Sequence, residues 1–180
     1  MSAEKKTESM ASLVIVLAVI CLIMAALLGL VNSITEDPIK ANNEKTVQDS
    51  LQIVMPADAY EQVAYDGIET NVVAVYKAGD QGYVVEVNSP NGFGGAIDMM
   101  TGVDNDGNVT GIAIISHAET SGLGSKATDP EWQAQFAGAS GTVTVEKDGG
   151  AIVAITGSTI TSRAVCDGVN MAFSVVEELG

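Results

Sequence analysis

The chain has 180 residues, room for one compact domain and an appendage but not for two full cores. Its formal net charge of -15 leaves no basic stripe for a phosphate backbone, which excludes nucleic acid as a partner. With 4% aromatic and 17% charged residues the core is expected to be aliphatic, and Cys21 and Cys166 read as small buried hydrophobes rather than a disulfide framework.

In chain order, the first element is the uncharged run from Ala11 to Val31, ASLVIVLAVICLIMAALLGLV. At 1.5 Å rise per residue it makes roughly 30 Å of helix, the thickness of a bilayer core. A secretory signal has an apolar region of only about 7 to 15 residues, so a transmembrane helix over 11–31 is expected. Lys5 and Lys6 precede the run, and the first charges after it are Glu36 and Asp37. The positive-inside rule then puts residues 1–10 in the cytoplasm and everything beyond the helix on the extracytoplasmic side of the cell membrane, a single-pass arrangement.

A connecting segment, 32–56, follows. Within it a helix over about 37–54 is expected, stacked on or continuous with the membrane helix: Pro38 suits a first turn, and Val47, Leu51 and Val54 share one face. From Asn71 the pattern shortens to VVAVYK, GYVVEV, GAIDMMTGV and NVTGIAIIS, divided by turn clusters, which predicts a meander of antiparallel strands. A further hairpin is expected from TVTVEK and AIVAI, turning through Asp148, Gly149 and Gly150. Asp104 to Asn108 opens like a calcium loop, but position twelve is Ile115 where a glutamate is required, so a plain turn is expected. The chain closes with a helix whose apolar face carries Val165, Val169, Ala172, Phe173 and Val176, with Thr161 or Ser162 as N-cap.

Several chemistries lack their parts. A single histidine, His117, excludes multi-histidine sites, and with no cysteine cluster no metal centre is expected. There is no G-x-S-x-G elbow, and in Gly122 to Lys126, G-L-G-S-K, serine precedes lysine, which is not the phosphate-loop order. Two stretches remain. H-A-E-T-S-G-L-G, residues 117–124, is either a strand-exit turn or a loop whose backbone approaches a flat ligand, with Leu123 as an apolar face and Glu119 and Thr120 as hydrogen-bonding groups. I-T-G-S-T-I-T-S, residues 155–162, is either a set of capping hydroxyls or a place where a phosphate meets a helix N-terminus.

T-G-S-T-I-T-S closely resembles the S/T-G-A-T motif of the FMN-binding domain family, whose final threonine is esterified to the FMN phosphate by a flavin transferase. H-A-E-T-S-G-L-G resembles that family's H-x-E-T-P-G-L-G flavin loop. With one N-terminal membrane helix and G-F-G-G-A-I-D-M-M-T-G-V-D-N-D-G-N-V-T-G-I before the loop, the chain resembles, end to end, the G-subunit family of Rnf complexes. These are membrane ferredoxin:NAD oxidoreductases that couple electron transfer to sodium-ion or proton transport.

The resemblance implies an α+β fold, one N-terminal transmembrane helix followed by a single FMN-binding domain, 57–180, with antiparallel strands and flanking helices. It implies covalent FMN on Thr159, with Thr156, Gly157 and Ser158 completing the motif. Thr161 and Ser162 would cap the helix near the phosphate, and Glu119, Thr120, Gly122, Leu123 and Gly124 would line the flavin site. The implied role is that of a redox subunit with no catalytic acid-base pair and no metal of its own. Its implied partners are the other Rnf subunits, one of them a second flavin-carrying membrane protein, together with a flavin transferase for maturation and the lipid bilayer. Ser158 stands where alanine is usual, Ser121 where proline is, and Val153 where many members have an aspartate attributed to transferase use. The alternatives are a counterpart of the C-type component of a sodium-pumping NADH:quinone reductase, a stand-alone extracellular flavin carrier, and a non-redox membrane-anchored binding protein.

Overall fold

A computed structural model describes residues 10–180, and the chain divides into two units, residues 1–45 and 46–180. Helix α1, Met10–Val54, supplies all that is described of the first unit. Its Ser12–Glu36 stretch, 25 residues, is the one helix among the described residues long and apolar enough to cross a membrane. Among the described residues the side chains from Ser12 to Ile34 are exposed, so Cys21 is not the buried hydrophobe expected. Pro38 lies inside α1, and Lys5 and Lys6, which carry the orientation argument, lie outside the described residues.

The second unit is built on a five-stranded sheet in the order β1-β2-β3-β4-β5, each strand antiparallel to its neighbour. The strands are β1 Glu61–Val63, β2 Val72–Lys77, β3 Gly82–Ser89, β4 Ile97–Asp104 and β5 Val109–Ser116. Four of them match the expected meander; β1 is additional, because E-Q-V is too short to carry a period. At the β4–β5 turn Asp104 accepts the amide hydrogens of Asp106 and Asn108 on Oδ1 at 3.0 and 2.8 Å. Those amides, Asn108 above all, hold its carboxyl below the usual range, so the aspartate serves the hairpin.

Both faces of the sheet are covered, which explains why β3 is buried along most of its length. On one face Val75, Val85, Val87, Ile97, Met99 and Val103 pack with Val165, Val169 and Ala172 of the closing helix, Thr159–Leu179. On the other, Val84, Met100 and Ala113 pack with Leu51, Val54 and Met55. Gly102 and Gly111 are paired across β4 and β5, and side chains there would meet Val54. The two glycines make a flat notch for the last turn of α1, and Thr110 donates to Val54 O at 2.7 Å.

After β5 the chain runs through a 3-10 turn, Gly124–Thr128, a short helix α2, Pro130–Gln133, and two further 3-10 turns, Ala134–Phe136 and Glu146–Asp148, before the closing helix, α3. The expected hairpin of TVTVEK and AIVAI does not form. Its only ladder remnant is a parallel bridge between Val145 and Ile152. Val143 and Val145 are buried as alternation required, and Ile152 and Ile155 are buried too, but side chains replace strand partners. Asn170 Oδ1 accepts from Val143 N at 2.8 Å and its Nδ2 donates to Val143 O at 2.8 Å. Gln135 accepts from Val153 N at 2.9 Å, and Ser162 Oγ from Ile155 N at 3.0 Å. Backbone groups satisfied in this way need no second strand.

Candidate functional site

β3 and β5 run in the same direction, so their carboxyl ends share one edge of the sheet, where α3 also begins. The loops leaving the two strands meet there through Glu119. This carboxylate is 9% exposed; its Oε1 accepts from Gly94 N at 3.0 Å and its Oε2 from the Thr161 hydroxyl at 2.6 Å. His117 turns the chain into the loop, its Nδ1 accepting from Glu119 N at 3.1 Å. Thr120 O then accepts from Leu123 N and Ser125 N, each at 3.2 Å, so the loop closes on itself with Ser121 in place of proline. Gly122, at φ 75°, takes the left-handed conformation this tight turn demands. A side chain at Gly124 would collide with Glu119 and Thr161, so only glycine lets the loop lie this close to α3.

The second loop ends at Gly157, φ 81°, and α3 starts at Thr159 with Ser158 as N-cap residue. This corrects the expected capping by Thr161 and Ser162, which lie inside the first helical turns. Ser158 caps through its backbone alone, its O accepting Ser162 N at 3.0 Å with no side-chain cap bond. Ser162 faces inward, donating to Ser158 O at 3.0 Å and accepting from Ile155 N, which locks the loop to the helix. The first-turn amides of a helix have no intrahelical acceptors, and no carboxylate sits in this first turn.

These segments enclose a pocket of about 340 Å³ lined by Glu119, Thr120, Leu123, Gly124, Gly157, Ser158, Thr159 and Thr161 from the expected residues, with Phe93, Lys147 and Ile160 added. Its volume falls in the range of small-molecule sites, roughly 300–1,000 Å³. Three expected residues do not line it: Thr156 is exposed just outside, Gly122 shapes the loop from behind, and Ser162 is buried beneath the helix start. Phe93 and Leu123 are 69% and 45% exposed, apolar surface of the kind that lines small-molecule pockets. Lys147 Nζ donates to Thr159 Oγ1 at 2.8 Å. Sequence reasoning missed Phe93 and Lys147, although a phenylalanine between glycines and a lysine in so acidic a chain were both visible signals.

Residues 92–174, which hold both loops and the pocket, match the FMN-binding domain, and residues 1–54 match the RnfG N-terminal region. The chain is 35% identical to the G subunit of the Na(+)-translocating ferredoxin:NAD(+) oxidoreductase complex of Acetobacterium woodii, over 92% of this chain and 90% of that one. It belongs to the RnfG family. The G subunit of the ion-translocating oxidoreductase complex of Methanosarcina acetivorans is 32% identical, covering 94% of this chain and 96% of its own. The G subunit of the proton-translocating ferredoxin:NAD(+) oxidoreductase complex of Clostridium ljungdahlii is 33% identical over 98% and 96%. RnfG relatives named for both sodium-ion and proton translocation thus resemble this chain to similar degrees. As a member of this family the chain is a redox subunit of an oxidoreductase complex, with an FMN-binding domain and an apolar N-terminal helix as membrane anchor.

Proposed function

We propose that the chain is an electron-transfer subunit of an ion-translocating ferredoxin:NAD oxidoreductase complex, carrying FMN as a phosphoester of Thr159. FMN supplies one-electron chemistry when bound, and the protein supplies position and electrostatics. The observation that carries the reading is the setting of the Thr159 hydroxyl. It lies in the pocket, at the amino end of a 21-residue helix, with a lysine ammonium against it.

The residues fit the group at both ends. At the phosphate end, free first-turn amides, the helix dipole and Lys147 all favour negative charge, and no first-turn carboxylate opposes it. At the ring end, Phe93 and Leu123 offer apolar surface beside the pocket. Ser158, whose hydroxyl makes it a rival acceptor, is 7% exposed, whereas Thr159 is half-buried and opens to the pocket. The anchor fits a domain on the extracytoplasmic side with the N-terminus in the cytoplasm, where a tether keeps FMN from being lost. The proposed partners are the other Rnf subunits, one of them a second flavin-carrying membrane protein, together with a flavin transferase and the bilayer.

The experiment is co-expression of the chain with a flavin transferase, followed by fluorescence of the denatured band and mass analysis of its peptides. Wild type is expected to fluoresce and carry FMN mass on the Thr159 peptide; Thr159→Ala is expected to be dark with an unchanged unfolding temperature. Flavin found on Thr156 or Ser158 would assign the ester elsewhere, and a dark wild type would remove covalent attachment.

A further inference from the structure

Lys147 lies outside both motifs, in the 3-10 turn Glu146–Asp148, yet it contacts the hydroxyl on which the proposed function rests. An ammonium has three donors and no acceptor, so Thr159 Oγ1 accepts this bond and its own proton is free to point elsewhere. The turn is held against α3 by a second link: Arg163 Nε and Nη2 donate to Asp148 Oδ2 and Oδ1 at 2.6 and 2.7 Å. Thr159 and Arg163 are four residues apart and so stack on one helical face, while Lys147 and Asp148 are adjacent on the turn. The two contacts form parallel rungs between turn and helix. Gly149, at φ 88°, ends the turn, and the Val145–Ile152 bridge fixes its base.

Charge separates the two cations. Only Lys77, Lys126, Lys147 and Arg163 follow Thr46 in a chain of net charge -15, and two of the four stand at this helix start. Arg163 is occupied by Asp148, whose carboxyl it holds below the usual range through its hydrogen bonds. Lys147 forms no ion pair among the described residues. Of these two cations it is the one with no carboxylate hydrogen-bonded to it, although its charge also acts on Asp148.

We infer that Lys147 is the phosphate-binding residue of the Thr159 site, with the Asp148–Arg163 pair as the device that positions it; this rests on the FMN reading above. When the flavin is attached, the Oγ–P bond forms and the hydroxyl proton is released to solvent. A phosphoanhydride of FMN is the donor; its P–O anhydride bond breaks, and the second phosphate leaves with the bonding electron pair. Lys147 favours the negative charge on the non-bridging phosphate oxygens as the Oγ–P bond forms, and afterwards pairs with them.

The test uses the full-length chain and a flavin transferase, with wild type, Lys147→Met, Lys147→Arg and Asp148→Asn compared by intact mass over time. Lys147→Met is expected to slow attachment by about tenfold or more, and Lys147→Arg to restore most of the rate, because a charged donor is what is lost. Asp148→Asn is expected to fall between them. Raising the salt concentration is expected to slow wild type more than Lys147→Met, a response that a purely structural lysine would not produce. Unfolding temperatures serve as the folding control. Equal rates for wild type and Lys147→Met, or equal slowing by Met and Arg, would overturn the inference about Lys147. A wild type without flavin on Thr159 would instead overturn the proposed function.

Discussion

Glu119 holds Gly94 and Thr161, 25 and 42 residues away in sequence, through separate oxygens of one carboxylate. As one polar letter inside H-A-E-T-S-G-L-G it gives no hint of either partner. Glu86 behaves differently. It is 6% exposed on β3, opposite Met100 and diagonal to Asp98, and burial, reinforced by the Asp98 charge, pushes its carboxyl up to about 7 despite a hydrogen bond from Tyr76. Asp98 is raised by burial too, and its Oδ1 is enclosed with no partner. The folded state therefore binds a proton at Glu86 that the unfolded chain releases. That contribution to stability is fully present below about 4.5 and is lost as pH rises through about 7. Thermal unfolding of the detergent-solubilised chain should show Glu86→Gln flattening the decline between pH 5 and pH 8 and stabilising it at pH 8 by about 1–3 kcal/mol. An unchanged slope would mean that Glu86 ionises as freely folded as unfolded.

At the scale of elements, the strands β2 to β5 are legible because alternation and turn clusters coincide, and α3 because its apolar period runs unbroken from Val165 to Val176. The second hairpin fails for a definable reason. Alternation reports which side chains are buried, and Val143, Val145 and Ile152 are buried; it says nothing about who satisfies the backbone between them. Here Asn170, reaching out from α3, takes both polar groups of Val143. Asn170→Ala should leave that amide and carbonyl without their partner and cost about 1–3 kcal/mol, read as a lower urea midpoint. A change within experimental error would mean that water replaces the side chain at no cost. The N-cap shifts for a related reason: Ser162 resembles a cap in sequence, but its hydroxyl serves Ile155 and Ser158 from inside the helix.

At the scale of the whole molecule, an uncharged helix and an acidic domain share one chain, and the proposed orientation puts that domain outside. Protease added to intact cells stripped of their outer barriers should digest residues 46–180 and leave the N-terminal tail protected, with the reverse pattern in inverted vesicles. Digestion only in inverted vesicles would reverse the orientation. The membrane helix, the meander, the closing helix and the two loop motifs are all set by local patterns: length without charge, periods of two and 3.6, and runs of glycine and hydroxyl residues. Only the tertiary structure decided that both loops and the start of α3 share one edge of the sheet, that Phe93 and Lys147 join them, and that Thr159, not Ser158, turns its hydroxyl toward a cation. Those are contacts across 12 to 42 residues of chain, and sequence spacing cannot encode them because they depend on how the sheet orders its strands and what packs across it.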